Sequence, residues 1–406
     1  MSLHSAFRFI FFFCGTYGLA VNLMAQASSE EQILLIDEIG VQYEILWAVD
    51  STYNYNFSEA EKRYRWFKQK YPTHPLPYFL LSLNELWKIF PNYQKGISDQ
   101  ALEVYVDSTI YLGKRLYKIP NRSLEGAFFL ASGYALKGRR HGLRAEWAQA
   151  ILSLKEALDY FRKCESYNYM SNELLLGTAL YNYYMIWLPK RYPRLRFLSF
   201  LFEKGDKYLG LNQLKKVTED ALFVRTEAQY FLALIMEEEG EIQEALILSQ
   251  YLSEKYPKNA QFSVLHMRLL YRNGYHEDSR KLAQHIYQEA QHQKSGFGAN
   301  QARYAAFLLG ILSIRLEQDS IQAKSYYEKT WQYAQETHKQ SKGYSLHALW
   351  FLAVWDEKRG DLQAAEEKYK ILEKWAEDNE PMKKKLRERR SKRKNSRVEI
   401  FGFSLF

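Results

Sequence analysis

The sequence predicts an all-α fold, a solenoid of helical hairpins, from two observations: its composition and its repeat spacing. Of its 406 residues 47% are hydrophobic, which suffices for a buried core, while 20 Gly and 9 Pro are few for a chain of β-hairpins. At a spacing of 34 residues, Gly274 follows Gly240 and Ser279 follows Ala245. Periods of this length are typical of stacked helical hairpins. We therefore expect one repeat array and not several ordinary globular domains.

The clearest repeat begins at Thr226, and its pattern resembles the tetratricopeptide repeat. That repeat reserves positions for large, small, turn, packed and helix-ending residues, which here are Leu232, Ala233, Met236, Gly240, Ala245, Leu252 and Pro257. Small residues are needed where the two helices of a hairpin cross closely. Proline ends the second helix because it lacks a backbone donor. The next repeat is expected to begin at Ala260.

Further copies follow the same pattern. In "EAEKRYRWFKQKYP" Ala60 and Pro72 have the spacing of Ala245 and Pro257, and "ALWFLAVWDEKRGDLQAAEEKYKILEKW" forms another unit around Gly360. Weaker units start near Arg303 and across residues 125–157, where "KGRRHGLRA" is expected to lengthen the turn. We predict seven or eight hairpins stacked into a superhelix.

The formal net charge of +9 is concentrated near the C-terminus. Ten Lys or Arg and one Glu lie within residues 383–397, so the rest of the chain is neutral. A nucleic-acid partner is not expected, because it needs basic residues across a folded face. The run predicts a solvated or helical tail that could meet an anionic membrane surface. The apolar "VEIFGFSLF" after it is expected to dock on the array or on a partner.

The N-terminus resembles a signal peptide. An apolar stretch begins at Phe9, and "AQA" at residues 25–27 supplies the small residues that a signal peptidase needs. An uncleaved anchor helix is the alternative, but Gly15 and Gly18 interrupt the apolar run. We expect an exported protein, in the periplasm or associated with the outer membrane. Its one remaining cysteine, Cys164, is expected to be buried.

The expected organisation has five parts. These are a signal peptide at 1–27, N-terminal hairpins at 28–122, divergent central hairpins at 123–225, tetratricopeptide repeats at 226–381, and a basic tail with an apolar terminus at 382–406.

A separate motif lies in "GTALYNYYMIWLPKRYPRLRFLSFLFEKGDKYLGLNQL", residues 177–214. It resembles the inclusion-body-clearance and tetratricopeptide repeat protein 39 family, which carries a similar succession of Gly, Leu-Tyr-Asn, Leu-Pro, Leu-Ser-Phe and Gly-Asp-x-x-x-Gly-Leu. The resemblance implies an intracellular family without catalytic residues. From the residue types themselves, Pro189 and Pro193 are expected to break the chain after an aromatic helix, and Gly205 and Gly210 to permit close helix packing.

No local motif indicates catalysis or a cofactor. The sequence has no HExxH or GxSxG motif, and the acidic "EEEGE" at residues 237–241 lacks the alternating oxygen ligands of a calcium loop, so it is expected to be a solvated turn. His285 and His292 lack the partners that helix-borne metal sites use. We expect no metal, no cofactor and no enzymatic activity.

These observations favour a non-catalytic scaffold that binds a protein or peptide partner in its concave groove. The alternative is an exported carbohydrate-binding or hydrolytic repeat protein that uses the groove as a substrate cleft. The repeat pattern places these residues in the groove: Tyr230, Leu234, Val264, Arg268, Phe307, Ile311, Trp350 and Val354. This set predicts an apolar or aromatic-rich ligand. The competing interpretation is that several of them only pack between neighbouring hairpins.

Overall fold

A computed structural model describes most of the chain. It describes residues 35, 38–90, 96–164, 171–191, 202–292, 294, 296–377 and 379–402, with side chains as far as residue 391. The predicted signal peptide and the side chains of the predicted apolar terminus lie outside this part of the chain.

Helices account for the regular structure of the described residues, which confirms the predicted all-α class and the tetratricopeptide-like hairpins. They occur in pairs along the chain, and a short 3₁₀ turn, Pro120–Arg122, precedes the fifth helix. The helices are α1 Ile39–Tyr53, α2 Phe57–Lys70, α3 Leu76–Ile89, α4 Ile97–Tyr117, α5 Ser123–Leu143, α6 Trp147–Cys164, α7 Ser171–Arg191, α8 Lys207–Asp220, α9 Arg225–Glu239, α10 Ile242–Lys255, α11 Ala260–Arg272, α12 His276–Gln291, α13 Ala299–Glu317, α14 Ser320–Glu336, α15 Gly343–Lys358, α16 Leu362–Trp375 and α17 Glu380–Gly402.

The predicted turn glycines end the first helices of their pairs. Gly240, Gly274 and Gly360 have φ angles of 87°, 85° and 86°, in the left-handed region where a side chain would be strained. They follow α9, α11 and α15. The 34-residue spacing of Gly240 and Gly274 therefore reflects a left-handed turn conformation that recurs in successive hairpins.

The predicted small and helix-ending residues also lie where the repeat pattern requires them. Ala60, Ala245 and Ala365 are fully buried, as close crossing of paired helices demands. Helix α2 ends just before Pro72 and α10 ends just before Pro257. Local sequence spacing thus determines the hairpins directly.

Two local expectations were wrong. The segment "KGRRHGLRA" lies mostly within α5, which continues to Leu143, because Gly138 provides close contact with α6 instead of ending the helix: a Cβ there would lie 3.3 Å from the Ala150 carbonyl oxygen. Pro189 does not end its helix, since α7 continues through Arg191, and Pro193 lies outside the described residues. A proline removes one backbone hydrogen bond and crowds the carbonyl four residues earlier, but here only Lys190 and Arg191 follow it in the helix.

The described residues form two compact units. The N-terminal unit extends to residue 269 and contains α1 to α10, the C-terminal unit begins at residue 270 and contains α12 to α17, and α11 crosses the boundary. The domain boundaries given by the sequence, at 122, 225 and 381, stay a prediction. None of the described helices is long and apolar enough to span a membrane.

In the C-terminal unit, the beginning of the predicted basic tail is part of the hydrophobic core. Met382 and Leu386, on α17, are 1% and 7% exposed and pack with Leu349 and Tyr369 of α15 and α16. The helical extension is confirmed, but its first turns are folded against the array and are not wholly solvated.

Gly205 and Gly210, from the motif at residues 177–214, lie where α7 and α8 meet. A Cβ at Gly210 would lie 2.6 Å from the Ala179 carbonyl oxygen and 2.7 Å from the Tyr183 nitrogen. A Cβ at Gly205 would lie 2.5 Å from the Asn182 carbonyl oxygen. The predicted close packing is therefore confirmed, and it depends on backbone atoms that cannot rotate away.

Replacing Gly210 with alanine is expected to lower the free energy of unfolding by about 1–3 kcal/mol, because the added methyl group overpacks the α7–α8 contact. Gly343→Ala is the matched control, since a Cβ at that helical glycine meets nothing within 4 Å. Urea unfolding followed by circular dichroism checks both variants. Equal stabilities of the two variants would contradict the packing account.

Candidate functional site

The N-terminal unit closes on itself. Three residues between α10 and α11 bond to the first hairpin, about two hundred residues earlier in the chain. The Asn259 side-chain nitrogen donates to the Tyr53 carbonyl oxygen at 2.8 Å, and the Tyr256 hydroxyl donates to Asp50 at 2.5 Å. The first and last hairpins of this unit therefore meet, so its first helices surround an internal space.

Aromatic side chains seal this closing contact. The Trp87 ring of α3, 1% exposed, lies 5.2 Å from the Tyr53 ring and 5.8 Å from the Phe262 ring between centroids. Edge-on and tilted ring pairs of this kind stabilise the folded state by more than the burial of their apolar area alone. Residues from α1, α3 and α11 thereby share one core.

The enclosed cavity is lined by the first helices of five successive pairs. Its empty volume is about 910 Å³, including the part open to solvent. Helices α1, α3, α5 and α7 each contribute residues three or four positions apart, which lie on one helix face. The lining residues are Ile45, Val49 and Tyr53 of α1; Leu76, Phe79, Leu80 and Leu83 of α3; Phe128, Ser132, Ala135, Leu136 and Arg139 of α5; Phe161 of α6; Glu173, Leu176 and Gly177 of α7; and Phe223, Val224 and Glu227 at the start of α9.

This lining is apolar apart from a few polar groups. Arg139 Nη1 donates to Glu227 Oε1 at 2.6 Å, and each side chain is 5% exposed. The Tyr53 hydroxyl donates to the other Glu227 oxygen at 3.4 Å, and burial raises the pKa of Tyr53 well above its usual value, so it stays a neutral donor. A largely apolar cavity with a few convergent polar groups is the usual form of a ligand site.

Glu173 closes the cavity wall near the start of α9. Its carboxylate accepts from the backbone nitrogens of Leu222, Phe223 and Val224, at 2.5 to 3.3 Å. Val224 is the N-cap residue of α9, and a carboxylate is favoured beside a helix N-terminus, whose amides have no intrahelical acceptor. Burial raises the pKa of Glu173, although these hydrogen bonds oppose that change.

A second buried carboxylate, Glu125 at the start of α5, anchors three neighbours outside the cavity. It accepts from Arg122 Nε at 2.8 Å and from the Leu35 backbone nitrogen at 3.1 Å, and it lies 3.0 Å from His74 Nε2. Burial alone would raise its pKa, but the hydrogen bonds with His74 and Arg122 outweigh burial and lower it. Glu125 therefore stays ionised while fully buried.

None of the predicted groove residues lines this cavity. In the N-terminal unit, Leu234 and Val264 are 6% and 7% exposed, and the Tyr230 ring lies 5.4 Å from that of Phe262. Arg268 pairs with Glu237, its Nε donating to a Glu237 oxygen at 3.0 Å. Glu237, at the start of the predicted solvated turn, is thus buried in an ion pair, whereas Glu238, Gly240 and Glu241 are exposed as predicted.

In the C-terminal unit the other groove residues contact neighbouring helices. The Phe307 ring lies 5.0 Å from that of Tyr344, and Ile311 packs on the cluster that contains Tyr327. The Trp350 ring lies 5.5 Å from that of Tyr369 and 5.9 Å from the Arg389 guanidinium of α17. Val354 is partly buried on the same helix. Contact of these eight residues with a partner stays a prediction.

The cavity residues did have a sequence signal. From Phe128 to Arg139 the lining residues of α5 recur at helical spacing, and Arg139 interrupts an otherwise apolar face. The glycines of "KGRRHGLRA" indicated a turn, so this helical pattern was not recognised in the sequence. Cys164 was predicted correctly as buried, at 1% exposure. The described residues contain no group of three or more side chains suited to hold a metal ion.

Comparisons with known proteins give a distant structural likeness. No protein-family model and no curated protein matches the chain. Among solved structures, the human IFIT1 dimer with PPP-AAAA is 13% identical, with 80% of this chain and 69% of that chain covered and a TM-score of 0.42. The P58(IPK) TPR domain is 15% identical, with 88% and 99% covered and a TM-score of 0.23. The fold assignment rests on the hairpins and turns described above, and the family resemblance of residues 177–214 stays a prediction.

Proposed function

We propose that this protein is an exported, non-catalytic scaffold that binds an apolar segment of a protein or peptide partner inside the cavity of its N-terminal unit. The observation that carries the proposal is the largely apolar cavity, partly open to solvent, that is lined mainly by the first helices of five successive pairs. Helical-hairpin arrays commonly recognise partners with their first helices. The site differs from the groove predicted by sequence, but the ligand chemistry is the same.

The burial of the lining side chains explains why such a cavity would bind an apolar segment. Phe128, Leu136 and Phe161 line it at 9%, 6% and 4% exposure, so the walls are already ordered by the core behind them. A preformed apolar site spends little conformational entropy on binding. Each large apolar side chain that enters from water gains roughly 1.5–3 kcal/mol. Two or three such side chains would together contribute roughly 3–9 kcal/mol, against the free energy lost when two molecules give up independent motion.

Selection from a random peptide library tests this function. Ala135→Trp places a large side chain in the cavity, and Leu152→Trp is the matched control on the exposed face of α6, where Leu152 is 65% exposed. We expect peptides rich in large apolar residues to be enriched on the wild type and on the control. Circular dichroism confirms that both variants fold. Enrichment of the same peptides on the filled variant would refute the site.

Export is the second part of the proposal, and it is supported by the apolar stretch and the "AQA" segment before Ser28. The protein isolated from its native host is expected to begin near Ser28. Intact-mass spectrometry checks this. A folded product that retains Met1 would contradict export by this signal.

An anionic membrane surface is proposed as a second partner, through α17. Lys384, Arg387 and Arg390 are exposed on this helix, and each basic residue close to such a surface contributes up to about 1 kcal/mol. Replacing the three with glutamine is expected to reduce flotation with anionic vesicles. Unchanged flotation would remove this partner from the proposal.

A further inference from the structure

The charged groups in the cavity wall are already satisfied by one another. Among the described lining residues, three are charged: Arg139, Glu173 and Glu227. Arg139 and Glu227 form a buried pair at 2.6 Å, and the second Glu227 oxygen accepts from Tyr53. Both charges of the pair are therefore neutralised inside the cavity.

Glu173 adds no charge that a ligand could use. Its two oxygens accept from three backbone nitrogens at the start of α9, at 2.5 to 3.3 Å. The partial positive charge of a helix N-terminus balances a carboxylate at this position. The cavity surface that a ligand would contact is consequently mostly apolar. Its few charged groups are each balanced by a neighbouring group.

Binding of a charged ligand in this cavity would carry a large desolvation free energy. A charge moved from water into an apolar site needs a partner of opposite sign, and an anion gains Arg139 as that partner by exchanging with Glu227. That exchange would leave the Glu227 carboxylate buried without its cation. An uncharged ligand avoids this cost.

We propose that the cavity is selective for uncharged ligand segments because Arg139 and Glu227 neutralise each other in its wall, a specificity that rests on the proposed binding function. The partner segment then carries apolar side chains and no Asp, Glu, Lys or Arg where it lies in the cavity. Its backbone N–H groups can donate to Glu227 or to the Tyr53 hydroxyl oxygen, and its carbonyl groups can accept from Arg139, while the bond between Arg139 and Glu227 is kept.

Matched small probes test this on the full wild-type chain. The neutral dye N-phenylnaphthylamine reports occupation of an apolar site by its fluorescence. Decanol, decanoate and decyltrimethylammonium have the same chain length and differ in the charge of the head group. At neutral pH we expect decanol to displace the dye at a concentration about tenfold or more below that of either charged analogue, as one unpaired buried charge implies.

Two variants test whether the charge balance of the pair sets the selectivity. Glu227→Gln leaves Arg139 as an uncompensated cation and is expected to raise the relative affinity for decanoate by about tenfold, because a charge-assisted hydrogen bond becomes available. The double variant Arg139→Met with Glu227→Leu removes both charges and is expected to keep the wild-type preference for decanol. It also guards against misfolding, because apolar replacement of a buried pair is often tolerated.

The outcomes separate this inference from the proposed function. If the dye does not bind the wild type, or Ala135→Trp does not reduce its binding, the cavity is not a ligand site and the proposed function fails. If the dye binds there but decanoate displaces it as well as decanol does, the selectivity is refuted. The same holds if Glu227→Gln folds and does not raise the affinity for decanoate relative to that for decanol.

Discussion

Replacing Trp87 with alanine is expected to lower the free energy of unfolding of the N-terminal unit by about 3–5 kcal/mol. The indole is 1% exposed and contacts the rings of Tyr53 and Phe262 across the closing contact. Its truncation therefore leaves a void between α1, α3 and α11. Urea unfolding followed by circular dichroism measures the loss.

The matched control is Trp66→Ala on α2, where the indole is 41% exposed. It is expected to cost less than about 1 kcal/mol, since exposed substitutions seldom cost more. If both variants lose the same free energy of unfolding, the closing contact stabilises the unit no more than an exposed tryptophan does.

Replacing Glu125 with glutamine is expected to cost about 1.5–3 kcal/mol near neutral pH, because the buried carboxylate loses its charge-assisted bonds with Arg122 and His74. The pKa of Glu125 is lowered below its usual 4.5 in the folded protein, so its contribution is fully present above that value and is lost as the pH falls below it. The stability difference between wild type and variant should therefore narrow in acid.

Denaturant titrations of both proteins across the acid range measure this difference. Glu103→Gln is the control, since Glu103 forms an ion pair with Arg140 while its side chain is 49% exposed. A wild-type advantage over Glu125→Gln that stays constant down to strongly acidic pH would contradict the proposed role of the carboxylate.

The hairpins were predictable from sequence because their determinants are local. Gly240 and Gly274 adopt the same left-handed backbone conformation, and Ala245 lies where α9 and α10 cross, so spacing alone reveals them. The cavity was not predictable in this way. It exists because Asn259 meets Tyr53, and that meeting depends on small rotations accumulated over five hairpins.

The predicted groove shows a second limit of local patterns. The repeat position of Trp350 indicates a concave face, but the sequence around it does not show that Arg389 of α17 lies over its ring. Likewise, Arg268 was predicted to be a groove cation, whereas Glu237 of α9 neutralises it. Repeat positions predict which way a side chain faces but not which helix covers it.

Photo-crosslinking from inside the cavity tests the central claim most directly. A diazirine-bearing leucine analogue would replace Leu136, 6% exposed in the cavity wall, or Leu152, 65% exposed on α6, in the full chain within its native host. The account predicts that illumination attaches a polypeptide at position 136 and that peptide mapping finds an apolar segment without charged residues. A polypeptide attached only at position 152, or none at position 136 in the folded protein, would contradict it.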